Sequence, residues 1–168
     1  DVVGKTCYEM YKARDEQCLV CPSQRTFETG ESQHHEEVLI AANGDNVAVA
    51  WFSAANNGPV VRVRMSQDGG ANFGATLEIA AGRLAGYVGL TFIDNGTVAV
   101  SWVGRAASGN NVLQLRTVTI DGTPGDTRQV ADIEQLRVFP QLGYQDGQLF
   151  LFWTDVRNGH SRMHAARV

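Results

Sequence analysis

Asn46-Val-Ala-Val-Ala-Trp51, Thr97-Val-Ala-Val-Ser-Trp102 and Gln148-Leu-Phe-Leu-Phe-Trp153 are three versions of one segment, their tryptophans 51 residues apart in both steps. Self-similarity at a period of about 40 to 50 residues marks a repeat architecture, in which one supersecondary unit recurs along the chain. The likeness extends outward on both sides. A tight-turn pair precedes each run, Gly44-Asp45, Asn95-Gly96 and Asp146-Gly147, of the kind that supplies positive φ between antiparallel strands. Before the turns lie further apolar segments beginning at Val38, Val88 and Phe139. After each tryptophan a Gly/Asn-rich or polar loop leads into another strand-like run, Val60 to Met65, Val112 to Thr117 and Arg162 to Arg167. Side chains alternate between the faces of a strand, so Arg62 and Arg64 share one side while their apolar neighbours pack on the other. A fourth strand is expected at Ala75 to Ala80 and at Thr127 to Ala131, and the third repeat stops before reaching one.

Four evenly spaced antiparallel strands per unit describe a blade of a β-propeller. A sandwich can also be built from many short strands, but it does not ordinarily require three units in such close register. The expected fold is therefore all-β, with about three four-stranded blades near residues 34–82, 83–133 and 134–168, after a cysteine-containing arm over residues 1–33. The tryptophans are expected to be packing elements of the blades, since a large indole at one repeat position first serves the core.

A sharper motif lies in the first repeat, Ser66-Gln67-Asp68-Gly69-Gly70-Ala71-Asn72-Phe73. It resembles the Asp-box of sialidase-type propellers, Ser-x-Asp-x-Gly-x-Thr-Trp, with Asn72 and Phe73 in the last two places; Ser66, Asp68, Gly70 and Phe73 carry the likeness. An aspartate at this place accepts backbone N–H groups across a tight turn, glycine permits the turn, and the aromatic plugs the blade. Thr119-Ile120-Asp121-Gly122 is an eroded version in the second repeat. Over roughly residues 34 to 168 the chain thus resembles the BNR/Asp-box sialidase-like family, in particular bacterial exo-α-sialidase-like proteins. The motif speaks for the fold more than for activity, because Asp-boxes lie at outer turns and one fold hosts many functions.

The number of blades raises the question of closure. Propellers close with about four to eight blades, and three should not. The chain therefore looks like the C-terminal part of a propeller, its remaining blades expected from a second polypeptide, a proteolytically separated segment or a symmetry mate. A truncated larger precursor and a small non-propeller sheet protein are the alternatives. Uncovered blade edges and an unshielded apolar face would otherwise invite aggregation.

With 168 residues, 43% of them hydrophobic, the chain has material for one core. A net charge of −4 speaks against nucleic acid as a partner, whose binding surfaces are normally basic. No apolar run approaches the roughly 20 residues that span a bilayer as a helix. A start at Asp1 without a signal peptide fits a processed chain, and equally a cloned fragment.

All three cysteines, Cys7, Cys18 and Cys21, lie in the arm. The stretch from Tyr8 to Val20 is compatible with a short helix that buries Met10 and Ala13, with Pro22 marking its end. In an exported chain, periplasmic or extracellular, an odd cysteine count gives one disulfide and one thiol left free or joined to another chain. Cys7 with Cys18 or Cys21 would tie the arm down, whereas Cys18 with Cys21 would be a tight redox-type loop. The sharper alternative is a zinc or copper site from Cys18, Cys21 and Cys7 with His34 and His35, whose donors suit either metal. A single Cys-x-x-Cys does not establish it, and the expectation is that no cofactor is required. Pro22 stands where covalent haem attachment needs histidine.

The resemblance also implies where an enzyme's groups would lie. Sialidase-like enzymes use arginines for the substrate carboxylate, a tyrosine nucleophile paired with glutamate, and an aspartate acid/base. Guanidinium grips a carboxylate bidentately, and a tyrosine of ordinary pKa about 10 needs a neighbouring base. At the starts of the innermost strands this chain offers Arg83, Arg137, Tyr87 and Glu36 as candidates. Against catalysis, the Phe/Tyr-Arg-Ile-Pro motif is absent and Arg137-Val-Phe-Pro140 only echoes it. Tyr87 also reads as a packed aromatic, and the arginines as solvated loop ends. His160, Arg162 and His164 share a strand face, Asn95-Gly96-Thr97 fits a glycosylation sequon, and Asp155 shows no evident partner. The expected function is a non-catalytic propeller subunit acting in protein–protein assembly of an exported complex. The alternative is a glycan-binding protein or exo-sialidase-type glycoside hydrolase whose site is completed by further blades.

Overall fold

The computed structural model describes residues 28, 38–55, 58–134, 138–157 and 160–168. The chain divides into two units, Asp1–His35 and Glu36–Val168. The described residues of the second unit form eleven strands in three antiparallel sheets. The first sheet holds β1 (Val38–Asn43), β2 (Asn46–Ala55), β3 (Gly58–Ser66) and β4 (Leu77–Ala81). The second holds β5 (Leu84–Phe92), β6 (Thr97–Arg105), β7 (Asn111–Thr119) and β8 (Arg128–Ile133). The third holds β9 (Gln141–Gln145), β10 (Gln148–Arg157) and β11 (His160–Arg167). Each sheet is a meander in which strands adjacent in sequence pair.

The repeated tryptophan segments are β2, β6 and β10, and each pairs on both sides within its sheet. Only β6 is also covered by another sheet on both faces, and there the run is buried from Val98 to Gly104, as expected of a strand with little use for polar residues. Alternation then sorts each run into two faces. Trp51, Val49 and Val47 share what is here called the tryptophan face of the first sheet, and Ala48, Ala50 and Phe52 its back face.

The sheets pack in one sense throughout. The back face of the first sheet, with Ala50, Val61 and Val63, meets the tryptophan face of the second, with Val98, Val100 and Trp102. The back face of the second sheet, with Ala99, Val103 and Leu113, meets the tryptophan face of the third, with Leu149, Leu151 and Trp153. These two apolar layers are the core of the unit.

The turns differ in kind. At Asp146-Gly147 both residues have positive φ, 51° and 75°, as a two-residue hairpin turn of right-handed twist demands. At Gly44-Asp45 only the glycine does, at 61°. Asn95-Gly96 does not supply the positive φ expected of it. There the turn is longer: Ile93 N–H donates to Thr97 O at 3.0 Å, and the Asp94 carboxylate accepts Gly96 N–H at 2.7 Å. That side-chain bond replaces the backbone geometry which Asn-Gly otherwise provides.

Candidate functional site

The Asp-box-like loop, Ser66–Phe73, is held by its own side chains. Ser66, at the end of β3, donates its hydroxyl to Asp68 Oδ1 at 2.6 Å and accepts Gly70 N–H at 3.0 Å. Asp68 accepts Asn72 N–H at 2.8 Å and the Asn72 side-chain amide at 2.7 Å. Asn72 thus supplies a donor from the place where the motif usually has threonine. Gly69 and Gly70 stand at φ 69° and 88°, where a Cβ is disfavoured. Phe73 lies under the Arg64 guanidinium, 5.9 Å from ring centroid to Cζ, within cation–π range.

The eroded box keeps the hydroxyl-to-aspartate bond and the N–H bond to that hydroxyl from four residues on, while its aspartate accepts the N–H two residues on instead of four. Thr119 donates to the Asp121 carboxylate, and Thr123 N–H donates to Thr119 Oγ1 at 3.2 Å and to Asp121 Oδ1 at 3.1 Å. Both loops are anchored to the turn before their own tryptophan strand: Gly69 N–H donates to Asp45 O at 2.8 Å, and Ile120 N–H to Gly96 O at 2.6 Å. Sequence reading missed the arginine that completes each unit. Arg64 donates to Gly74 O at 2.9 Å and Phe73 O at 3.2 Å; Arg116 donates to Gly125 O at 2.6 Å and to Ile79 O of β4 at 2.7 Å. The signal was available, since both arginines stand on the tryptophan-face register of the strand that enters the box. Asn43 and Asn46 add a second tie between sheets, donating to Asp94 O, Asn95 Oδ1 and Asn95 O. The sequon asparagine therefore has a turn-on-turn role.

The hydrogen bonds hold Asp68 well below the ordinary carboxylate value of 3.8, at about 2; the Ser66 hydroxyl is the largest cause, followed by the Asn72 backbone and side-chain amides. Asp121 is lowered for the same reason, first by Thr119 and then by Thr123. A depressed folded-state pKa means that the charged form is favoured on folding. The stability it contributes is present in full above the unfolded value and is lost as pH falls from near 3.8 through about 2. Carboxyl ¹³C NMR is expected to place the Asp68 titration near 2, and Asp68→Asn is expected to flatten the acid limb of a denaturant-midpoint profile between pH 5 and 2. A midpoint of 3.8 for Asp68 would remove the basis for this expectation.

The candidate catalytic residues fall differently. Tyr87 is the extra residue of a bulge in β5, where the register with β6 shifts between Gly86 and Val88. Its φ is 53°, next to Gly86 at 99°. The bulge turns the ring edge-on to Phe139, centroids 4.5 Å apart, and Tyr87 packs partly buried against the layer between the second and third sheets. Arg83, just before β5, is exposed, and its carbonyl accepts Arg105 N–H at 2.8 Å. Glu36 and Arg137 lie outside the described residues, as do Cys7, Cys18, Cys21, His34 and His35.

Asp155 does have a partner. It is 1% exposed, and its Oδ2 accepts Glu134 N–H at 3.4 Å. Beside this contact a polar hollow of about 530 Å³ is lined by Asn110, Asn111, Asp132 and Glu134 among others. His164 stacks on Trp153, centroids 5.5 Å apart and 17° between planes, while His160 and Arg162 on the same strand are exposed. Among the described residues no helix is long and apolar enough to cross a membrane. No model of a known protein family matches the sequence, and neither does any curated protein.

Proposed function

We propose that this chain is a non-catalytic, sialidase-like β-propeller segment that acts in protein–protein assembly of an exported complex, its three sheets being blades of a ring that other sheets complete. The carrying observation is the single sense of packing: among the described residues, two of the three tryptophan faces are covered by a back face, so one face of each kind is left without another sheet on it. Blades in a ring are related in this way, and three are too few to close one. The saturation of both Asp-box loops by internal hydrogen bonds supports a structural role for the motif. In an exported setting the odd cysteine count would leave a thiol free or joined to a second chain.

The intact mass and stoichiometry of the native protein, with and without reductant, test this reading. A complex larger than one chain is expected, and a native monomer of 18.2 kDa would overturn it. A second reading, a glycan-binding or sialidase-type site completed by further blades, is favoured by one observation, the positive φ of Tyr87 on its bulge. Backbone outliers of this kind cluster at functional sites. Hydrolysis of a sialoside that is abolished by Tyr87→Phe would establish that reading in place of the first.

A further inference from the structure

The two faces that no other described sheet covers are complementary in kind, one a tryptophan face and the other a back face. On the tryptophan face of the first sheet, Val38, Val49, Trp51, Arg64 and Phe73 line an open hollow of about 310 Å³, and Ile40 on the same face is 70% exposed. On the back face of the third sheet Phe150 and Phe152 stack, centroids 6.2 Å apart; Phe152 is 37% exposed and Met163 77%. At the places 51 and 102 residues earlier, the covered back faces carry Ala99 and Ser101, and Ala48 and Ala50. Among the described residues, large rings thus replace small residues on the one back face that no other sheet covers, and the hollow lies on the one tryptophan face that no other sheet covers.

We infer that the partner in the assembly is a second copy of this chain, the third sheet of each copy seating Phe150 and Phe152 in the hollow beside Trp51 of the other. The inference rests on the assembly reading above and names its partner. The junction continues the back-to-tryptophan packing already made twice inside the chain. Such a head-to-tail contact either closes or propagates. Two copies bring six sheets and two identical junctions, within the range of four to eight at which propellers close. The charges on the hollow's face do not oppose burial: Arg64 is held by two carbonyl oxygens, and Arg62 is paired with Glu78 at 2.8 Å. Arg167, the cross-strand partner of Phe150 on the outermost strand β11, is exposed on the back face and is the charge that the junction must accommodate.

Sedimentation velocity and light scattering on the 168-residue chain are expected to give twice the mass of one 18.2 kDa chain. Val49→Asp and Phe152→Asp, on opposite faces, should each raise the dimer dissociation constant by about 30-fold or more. An equimolar mixture of the two variants should dimerise again, because one junction then unites the unaltered face of each. Rescue on mixing also shows that both variants are folded. A dimer broken by one substitution and indifferent to the other would overturn the inference in favour of like-to-like pairing of a single face. A chain that is monomeric alone, yet occurs natively with a different polypeptide, would overturn self-pairing and leave the assembly reading standing. A chain monomeric in both settings would overturn both.

Discussion

Trp102→Ala is expected to lower the unfolding free energy by about 3–5 kcal/mol, the range for truncating a fully buried aromatic residue. For a unit of this size that corresponds to a fall in Tm on the order of 10 °C. Trp102 is 1% exposed, packs between the first two sheets and donates its indole N–H to Gln114 Oε1 at 2.9 Å. Its loss would leave both a cavity and an unsatisfied amide oxygen. Trp51→Ala, at the equivalent place one repeat earlier, should cost only about 1 kcal/mol, near the centre of the distribution for point substitutions. Trp51 is half-buried and borders an open hollow. Denaturant unfolding at protein concentrations too dilute for self-association measures both. Equal losses would mean that the tryptophan face of the first sheet is covered in solution even in the isolated chain.

Gly89→Ala is expected to destabilise by about 1–3 kcal/mol, the cost of overfilling a close-packed site. Gly89 lies in β5 opposite Ser101. A Cβ there would stand 2.9 Å from the carbonyl oxygen of Pro140, and closer still to the Ser101 hydroxyl. Backbone cannot swing aside as a side chain can, so the segment before β9 must move away from the second sheet. Gly74→Ala provides the contrast. Its Cβ would meet only Met65 O at 3.5 Å, an ordinary contact, and its φ is not positive. That substitution should be neutral or stabilise slightly, by restricting the unfolded chain. Thermal unfolding of the pair separates the two cases; a Gly89→Ala protein as stable as its parent would show that the third sheet does not press on β5.

The strand pattern was legible because it depends on near neighbours. The run from Asn46 to Trp51 is a short apolar stretch that follows a turn, and β2 occupies that place. The expected fourth strands at Ala75 to Ala80 and Thr127 to Ala131 correspond to β4 and β8, displaced by one or two residues toward the C-terminus. The Asp-box was legible for the same reason, since its bonds join residues within four positions of one another. Arg64 was placed on its strand face, but its tie to the box and that of Arg116 were not legible, because both reach carbonyl groups nine or ten residues further on, across the loop. The conformation at Asn95-Gly96 escaped for a subtler reason: the Asp94 side chain competes locally with the turn that Asn-Gly usually makes. Of the proposed catalytic group, sequence placed Tyr87 at the start of an inner strand. It gave no sign of the bulge that turns the ring against Phe139.

By itself the sequence determined that this is a chain of β-strands in three related units, because alternation, turn residues and the 51-residue period are properties of short segments. Which faces those units cover was decided only in the tertiary structure. Trp51 and Trp102 end nearly identical runs, Val-Ala-Val-Ala-Trp and Val-Ala-Val-Ser-Trp, yet one borders a hollow and the other is sealed in the core. Burial of a sheet face depends on a second sheet laid across it, and here that sheet comes from residues about 50 positions away. The Phe rings of β10 and the hollow beside Trp51 acquire their meaning at the same level, as the two ends of a stack whose packing has a single direction.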